Sequence, residues 1–567
     1  MKKLPVAILV LAAVFTVIFL GACGNRDGRQ TVAVDLSDAR LHSDPVLARA
    51  GLDRDMRFLT QRTITVGIWD RATEADPTPE DNFWTTFIRE GMMRDHNVNV
   101  EFVAIPRWSE VQFLNNLMAA GTAPDVISTY DYPTILTYAN MGGILDMTPL
   151  IRDYRHIIPS VVELLMDEFL FWNQDPATGQ NWALLGRRFI NPAVNVFIRH
   201  DWLQILGLQP PRTTQEFERM LYAFRDNAAR LVPPGRSPSE IIPWGVSDNI
   251  TWGAQTLINS MRPSDLTDRD RYIYGYGAIT LPGTKEALRM MNRWYNDDLL
   301  WRDFALGGAL DMDDLMKIGL VGVHIQNWDH PFRSGGLDIN TTLQRLFGPQ
   351  AYFFASNPPP FTDDRGYPMR DHGTAGDRTI AFPASNTEPV ASLLYLEWIT
   401  KLENRMFLQI GVEGINHIRH PNGAIEMLVA GAPHAINSVN NFDYTITING
   451  INFGDVELTT RSLALAYPGI PPELITQAFN VPEHYDRVGR NVQVGEIAAQ
   501  AGIGPSLTEL QTVVFSQSVS APVANFDRVF DDGLAAYLAA GGQAIIDERR
   551  QAWQRVYGNA TMLPPPQ

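Results

Sequence analysis

The sequence predicts an α/β protein built on mostly parallel sheets, and three observations carry that prediction. Strand-like and helix-like segments alternate from residue 62 to residue 143. The alternation returns after residue 195. The 567 residues are 45% hydrophobic and 19% charged, which suffices for a sizeable core and excludes disorder or a coiled coil for the whole chain. Alternating strands and helices are the mark of parallel sheets flanked by helices.

Thr63-Ile-Thr-Val-Gly-Ile-Trp69 is rich in β-branched residues and reads as a buried first strand. Thr78-Pro79-Glu80-Asp81 predicts a helix start with Thr78 as N-cap and Pro79 in the first turn. Phe83, Phe87, Ile88 and Met92 give that helix one apolar face. Asn97 to Ile105 reads as a second strand, and a helix from Ser109-Glu110 ends at Gly121 before Pro124. Asp125 to Thr129 is a third strand, followed by a helix from Pro133 to Gly142-Gly143. Further along, Asn195–Ile198, Gly319–Gln326 and Arg378–Phe382 read as strands. Thr213-x-x-Glu216 is a capping box before Phe217, Met220, Leu221 and Phe224. A helix through Leu393, Leu396 and Trp398 and an amphipathic helix over 544–557, stopped by Gly558, complete the pattern.

Lys and Arg number 46 against 63 Asp and Glu, a formal charge of −17. A general nucleic-acid binder needs a basic surface, so that class is disfavoured. The chain opens with Lys2-Lys3 and then an uncharged, nearly all-apolar run over Leu4–Leu20, which is near the lower limit for a spanning anchor helix and also fits the apolar region of a signal peptide. Leu20-Gly21-Ala22-Cys23 resembles the lipobox of bacterial lipoproteins, which implies cleavage after Ala22 and lipidation of Cys23. Cys23 is the only cysteine, so no intrachain disulfide forms and no thiol nucleophile remains in the body. Residues 24–61 are polar with no sustained period and read as a tether.

A set of ordered segments resembles the extracellular solute-binding proteins of bacterial ABC importers, in the large branch of the sugar-binding family. Ala119-Ala-Gly-Thr-Ala-Pro124-Asp125-Val126, Gly142-Gly-Ile-Leu-Asp146-Met-Thr-Pro-Leu150 and Ile198-Arg199-His200-Asp201-Trp202-Leu203, with Pro211-x-Thr213-x-x-Glu216-Phe217 after it, are similar to motifs of that family. Gly411-Val-Glu413-Gly414 resembles its G-x-E-G loop. His200 replaces the usual lysine.

The resemblance implies a two-lobe periplasmic-binding-protein-like fold of type II, with the lobes joined by a hinge. The expected division is 1–22 leader, 23–61 tether, 62–190 first lobe, 191–360 second lobe, 361–435 return to the first lobe, and 436–560 second lobe with closing helices. Crossings between lobes are expected near 186–196, near 357–377 and after about 430. The resemblance further implies a membrane-anchored monomeric receptor outside the cytoplasm that binds a carbohydrate, with permease subunits and the lipid bilayer as partners and no cofactor.

Ligands of open parallel sheets sit beyond the carboxyl ends of the strands. That rule selects Trp69-Asp70, Trp108 after the second strand, Tyr130-Asp131 after the third, and Trp328-Asp329 after the strand at 319–326. Each pairs an aromatic ring, which stacks on a pyranose face, with polar groups for hydroxyls. Arg199 and Asn416 join them through the motifs above. Trp202 and Trp398 lie inside helical patterns and read as core, and Asp125 reads as a structural cap. No H-E-x-x-H, G-x-S-x-G or phosphate-loop pattern occurs. His417-x-x-His420 reads as a solvated turn, and Asp311-Met-Asp313-Asp314 as a helix start rather than a calcium loop. A surface-anchored polysaccharide-degrading enzyme, or a receptor for a peptide or another small solute, stays open as an alternative.

Overall fold

The computed structural model describes residues 32–71, 78–175, 178–189, 194–247, 249–307, 309–333, 337–368, 376–428, 436, 438–479, 492, 494, 497–500 and 503–563. The leader, Cys23 and the lipobox lie outside the described residues.

The first lobe begins with β1 (Arg62–Asp70) and β2 (Val98–Pro106), which pair in parallel from Arg62↔Val98 to Asp70↔Pro106. The helix between them, Phe83–His96, packs Trp84, Ile88 and Met92 inward. Its N-cap is Asn82 rather than the expected Thr78. The Asn82 side chain accepts from the Trp84 and Thr85 amides, and the Thr85 hydroxyl accepts from the Asn82 amide. Thr78 instead accepts from the Asp81 amide in the turn before it. Both residues are good caps; the one four positions later also closes the reciprocal bond.

β3 (Ile127–Thr129) follows a parallel bridge between Val126 and Val66. It belongs to a sheet ordered β12-β4-β9-β3, with β4 Leu184–Arg188, β9 Gly376–Ala381 and β12 Ile448–Asn449. The second lobe holds a sheet ordered β6-β7-β5-β8: β5 Val194–Arg199, β6 Ile242–Gly245, β7 Val321–Asn327 and β8 Phe353–Ala355. A hairpin of β10 (His417–Arg419) and β11 (Ile425–Met427) sits apart.

Parallel pairs β1–β2, β4–β12 and β6–β7 form the frame of the two lobes. Outside that hairpin, every antiparallel pair among the described strands involves β5 or β9. These two strands enter a lobe immediately after a crossing. They therefore start at the cleft, where their neighbours end.

Two large cores follow. One gathers β1, β2, the helix Pro389–Thr400 and Tyr444, Ile446 and Ile448; the other gathers β5–β8 and the C-terminal helices. Leu47, Leu52 and Phe58 are fully buried in the first core, and the helix Pro45–Ala50 is capped by Asp44. Residues 41–61 are thus part of the first lobe and not a tether. These three fully buried anchors are spaced five and six apart, which leaves no helical or strand period to read. Likewise Ile448 places the last return to the second lobe after β12, later than the expected boundary at 435/436.

Trp398 and Trp202 are core residues. Gly91 faces Trp398 so closely that a Cβ there would lie 2.0 Å from the indole ring. The helices Gly504–Ser520, Phe526–Tyr537 and Gln543–Tyr557 close the second lobe. Asn292 ties the first of them down, donating to the carbonyls of Ser518, Val519 and Ala521.

Candidate functional site between the lobes

The carboxyl ends of β1, β3 and β4 and the start of β9 converge on one edge of the first lobe. Trp69 and Tyr130 stack there with ring centroids 5.1 Å apart and planes inclined by 20°. Arg107 and Arg378 lie over the Trp69 ring at 4.6 and 4.8 Å, and Arg71 at 5.7 Å. Cations at such distances are drawn to the electron-rich ring face.

These cations are held by carboxylates. Arg71 makes two bonds to Asp443, at 2.6 and 3.0 Å. Arg378 bridges Asp443 and Asp377, and Arg188 also reaches Asp377 at 2.7 Å. Arg107 pairs with Glu110, which also accepts from the Thr129 hydroxyl and the Tyr130 amide. Burial opposes the charge on Asp377, yet the Arg378 and Arg188 guanidiniums overcome it and hold the carboxyl below its ordinary range. The wall is therefore pre-arranged, with each of its four guanidiniums paired to one of three carboxylates.

Beside this wall lies a cavity of 390 Å³. Tyr130, Tyr132, Trp172, Trp182 and Asp377 line it from the first lobe, Tyr272 and Arg549 from the second. Trp172 stacks on Phe169 at 5.6 Å, and the Tyr132 hydroxyl donates to the Asn173 carbonyl. The Asn173 side-chain nitrogen, also in the cavity wall, is buried with no acceptor among the described residues. Arg549 stacks 4.1 Å from the centre of the Tyr272 ring. A pocket of flat rings with a few directed polar groups, shared by two lobes, suits a small polar molecule with apolar faces.

The predicted site residues divide between this cleft and elsewhere. Trp69, Asp70, Tyr130 and Asp131 sit at the converging strand ends, with Tyr130 in the cavity wall and Asp131 bonded to the Thr134 hydroxyl at the next helix start. Trp108 is 77% exposed in the turn after β2, with Arg107 at 5.4 Å.

Arg199 is removed from the site. It ends β5, the reversed crossing strand, so its side chain lies at the far end of the second lobe. There it is buried, makes two bonds to Asp201 and lies over Trp202. Trp328 is packed edge-on against Tyr467 and Phe479, and its carbonyl accepts from Asn195, which makes it core. Asp329 is buried against Arg333 and the Tyr467 hydroxyl. Asn416 is buried in the turn after Gly411 and accepts from the Val412 amide. None of these last four lines the cavity.

Sequence reasoning did not select Asp377, Arg378, Arg188 or Asp443. The available signal was position: Arg187-Arg188 and Gly376-Asp377-Arg378 flank the first two crossings.

This architecture matches solved structures along nearly its whole length. The alginate-binding protein AlgQ2, without calcium ion, aligns with a TM-score of 0.62 at 16% identity, over 88% of this chain and 98% of that one. The substrate-binding protein FusA of the S. pneumoniae ABC transporter, in complex with kestose, aligns with a TM-score of 0.62 at 12% identity, over 88% and 100%. The chain has the two-lobed fold of the ABC-transporter solute-binding proteins. An HMO-binding solute-binding protein from Bifidobacterium longum infantis shares it with a TM-score of 0.57 at 14% identity, over 87% of this chain and 99% of that one. In sequence, the chain is 24% identical over 335 residues to Lipoprotein LipO of Bacillus subtilis (strain 168), covering 55% of this chain and 60% of that protein's length. No family model matches. In the solute-binding-protein fold, the aromatic wall and the cavity occupy the groove between lobes.

Proposed function

We propose that this protein is the membrane-anchored receptor of an ABC importer, capturing a carbohydrate between its lobes and delivering it to the permease. The observation that carries the reading is the cavity lined from both sides by Tyr130, Tyr132, Trp172, Trp182 and Tyr272, with Asp377 and Arg549 among the rings. Pyranose rings stack on such surfaces, and their hydroxyls meet carboxylate, amide and guanidinium groups. A ligand touching both lobes stabilises the closed state over the open one, and that difference is what drives closure.

The solved relatives named for alginate, HMO and kestose support a saccharide, and an oligosaccharide in particular. Lipidation at Cys23, after the lipobox-like Leu20-Gly21-Ala22, would hold the body outside the cytoplasm as a monomer. No helix among the described residues is long and apolar enough to cross a membrane. In this reading the acyl chains on Cys23 supply the attachment. Catalysis is not part of the proposal. Asp377, clamped by two arginines and held ionised, is poorly suited to donate a proton to a leaving group.

Titration calorimetry against mono- and oligosaccharides tests the reading. One saturable ligand, recovered chemically unchanged and accompanied by compaction in small-angle scattering, is the expected result. Saturable binding of a peptide in place of any sugar would overturn the substrate class, and steady release of new reducing ends would overturn the receptor role.

A further inference from the structure

We propose that Asp313, His324 and His330 form a zinc site inside the second lobe. The three side chains come from three elements: the helix Ala309–Lys317, the middle of β7, and the turn His330–Phe332 that follows it. All three are buried, with exposures of 4%, 2% and 6%. Their donor atoms all lie within 4.8 Å of one another.

The chemistry of the set suits zinc. Two imidazoles and one carboxylate are the N and O donors that zinc accepts in a tetrahedral arrangement, with a water or hydroxide as the fourth ligand. His324 Nδ1 lies 2.8 Å from the Gly245 carbonyl on the neighbouring strand β6. That carbonyl can only accept, so Nδ1 carries the proton and Nε2 keeps its lone pair for a metal. Such an outer bond is the usual way a zinc-binding imidazole is oriented.

His330 Nε2 and Asp313 Oδ1 are 2.7 Å apart. Adjacent donors on zinc stand about 3.2–3.4 Å apart, given bonds of about 2.0–2.1 Å. Small side-chain rotations therefore bring the set onto one ion. The proton shared between His330 and Asp313 leaves as the ion binds.

The surroundings give the site a role. Met312, Met316, Trp328 and Phe332 belong to the same core. An ion here would cross-link the helix, the strand and the turn that the Asp329–Arg333 ion pair brackets. It would act as a staple of the second lobe, independent of what the cleft binds.

Full-length body protein, stripped with chelator and dialysed, should bind one equivalent of zinc chloride by calorimetry. Its thermal midpoint should rise by several degrees in zinc. Zinc-edge X-ray absorption should show two imidazoles in the first shell. His324→Gln and Asp313→Asn should lose the stoichiometric binding and the thermal shift, while His420→Ala, at a half-buried histidine outside the cluster, should keep both. Absence of zinc binding in the unsubstituted protein overturns the proposal. So does a zinc shell with fewer than two imidazoles, a reading that holds whether or not the variants fold. Binding retained in both core variants overturns it as well.

Discussion

The Tyr130 ring lies over Trp69 at 5.1 Å, so the ends of β3 and β1 share one aromatic surface at the cleft. Trp69 is buried while Tyr130 is 38% exposed. In the proposed reading the inner ring supports and the outer one faces the saccharide. Tyr130→Ala should weaken saccharide binding by roughly tenfold, equivalent to about 1.4 kcal/mol of stacking. Its thermal midpoint should change little. Calorimetric titration beside a melting curve separates the two effects, and unchanged affinity would exclude Tyr130 from the contact surface.

Trp328→Ala should behave in the opposite way. The indole is packed against Tyr467 and Phe479 in the second core, so truncation should cost about 3–5 kcal/mol of stability. Denaturant unfolding measures this. A loss below about 1 kcal/mol would show that the ring is not core.

Asp443 receives Arg71 through two bonds and Arg378 through a third. Asp443→Asn removes the charge that balances both guanidiniums in a buried place, and should destabilise the first lobe by about 3–5 kcal/mol. Restoring the acid at that position as Glu should recover only part of the loss, since the two-pronged geometry with Arg71 depends on side-chain length.

Gly91→Ala should lower the melting temperature sharply. The added methyl would lie 2.0 Å from the Trp398 ring, which is itself held by a bond from its indole nitrogen to Asp95. Overpacking of this kind costs about 1–3 kcal/mol. Pairing it with Trp398→Phe should relieve part of the strain, and a double-mutant cycle by thermal unfolding would show it.

Acid should weaken the first lobe through His96. Burial pushes its pKa down; its Nδ1 is bonded to the Met56 carbonyl, and its Nε2 is buried without a partner among the described residues. The unfolded imidazole takes up a proton near the ordinary value of about 6.5, while the folded one resists. Stability is therefore full above that pH and is lost as the pH falls toward the folded value. His96→Gln should flatten the slope of melting temperature against pH between about 6.5 and 5.

Much of the fold was legible because local signals were strong and unambiguous. β1 is a β-branched run whose expected ends fall within one residue of the strand's own, and Gly121 stops its helix with a φ of +70°. Four of the expected site residues lie away from the cavity, and strand direction accounts for Arg199. Sequence shows where a strand ends but not which way it runs relative to its neighbours. Arg199 ends a strand that points away from the cleft, while Gly376-Asp377-Arg378 begins one that starts in it. Trp328 shows a second limit. A ring after a strand satisfies the pattern whether it turns toward solvent or toward Phe479, and only packing decides. The buried Leu47, Leu52 and Phe58 escaped notice because three isolated anchors make no periodicity.

The backbone passes from one half of the molecule to the other between β4 and β5, between Pro368 and β9, and again after β12. A protease that clips any one of these passages leaves two covalent links in place. Nicked protein should therefore migrate as an intact species under native conditions and separate into pieces only when denatured. The same redundancy confines bending to motions that all three passages tolerate together, so the halves can swing but cannot drift apart.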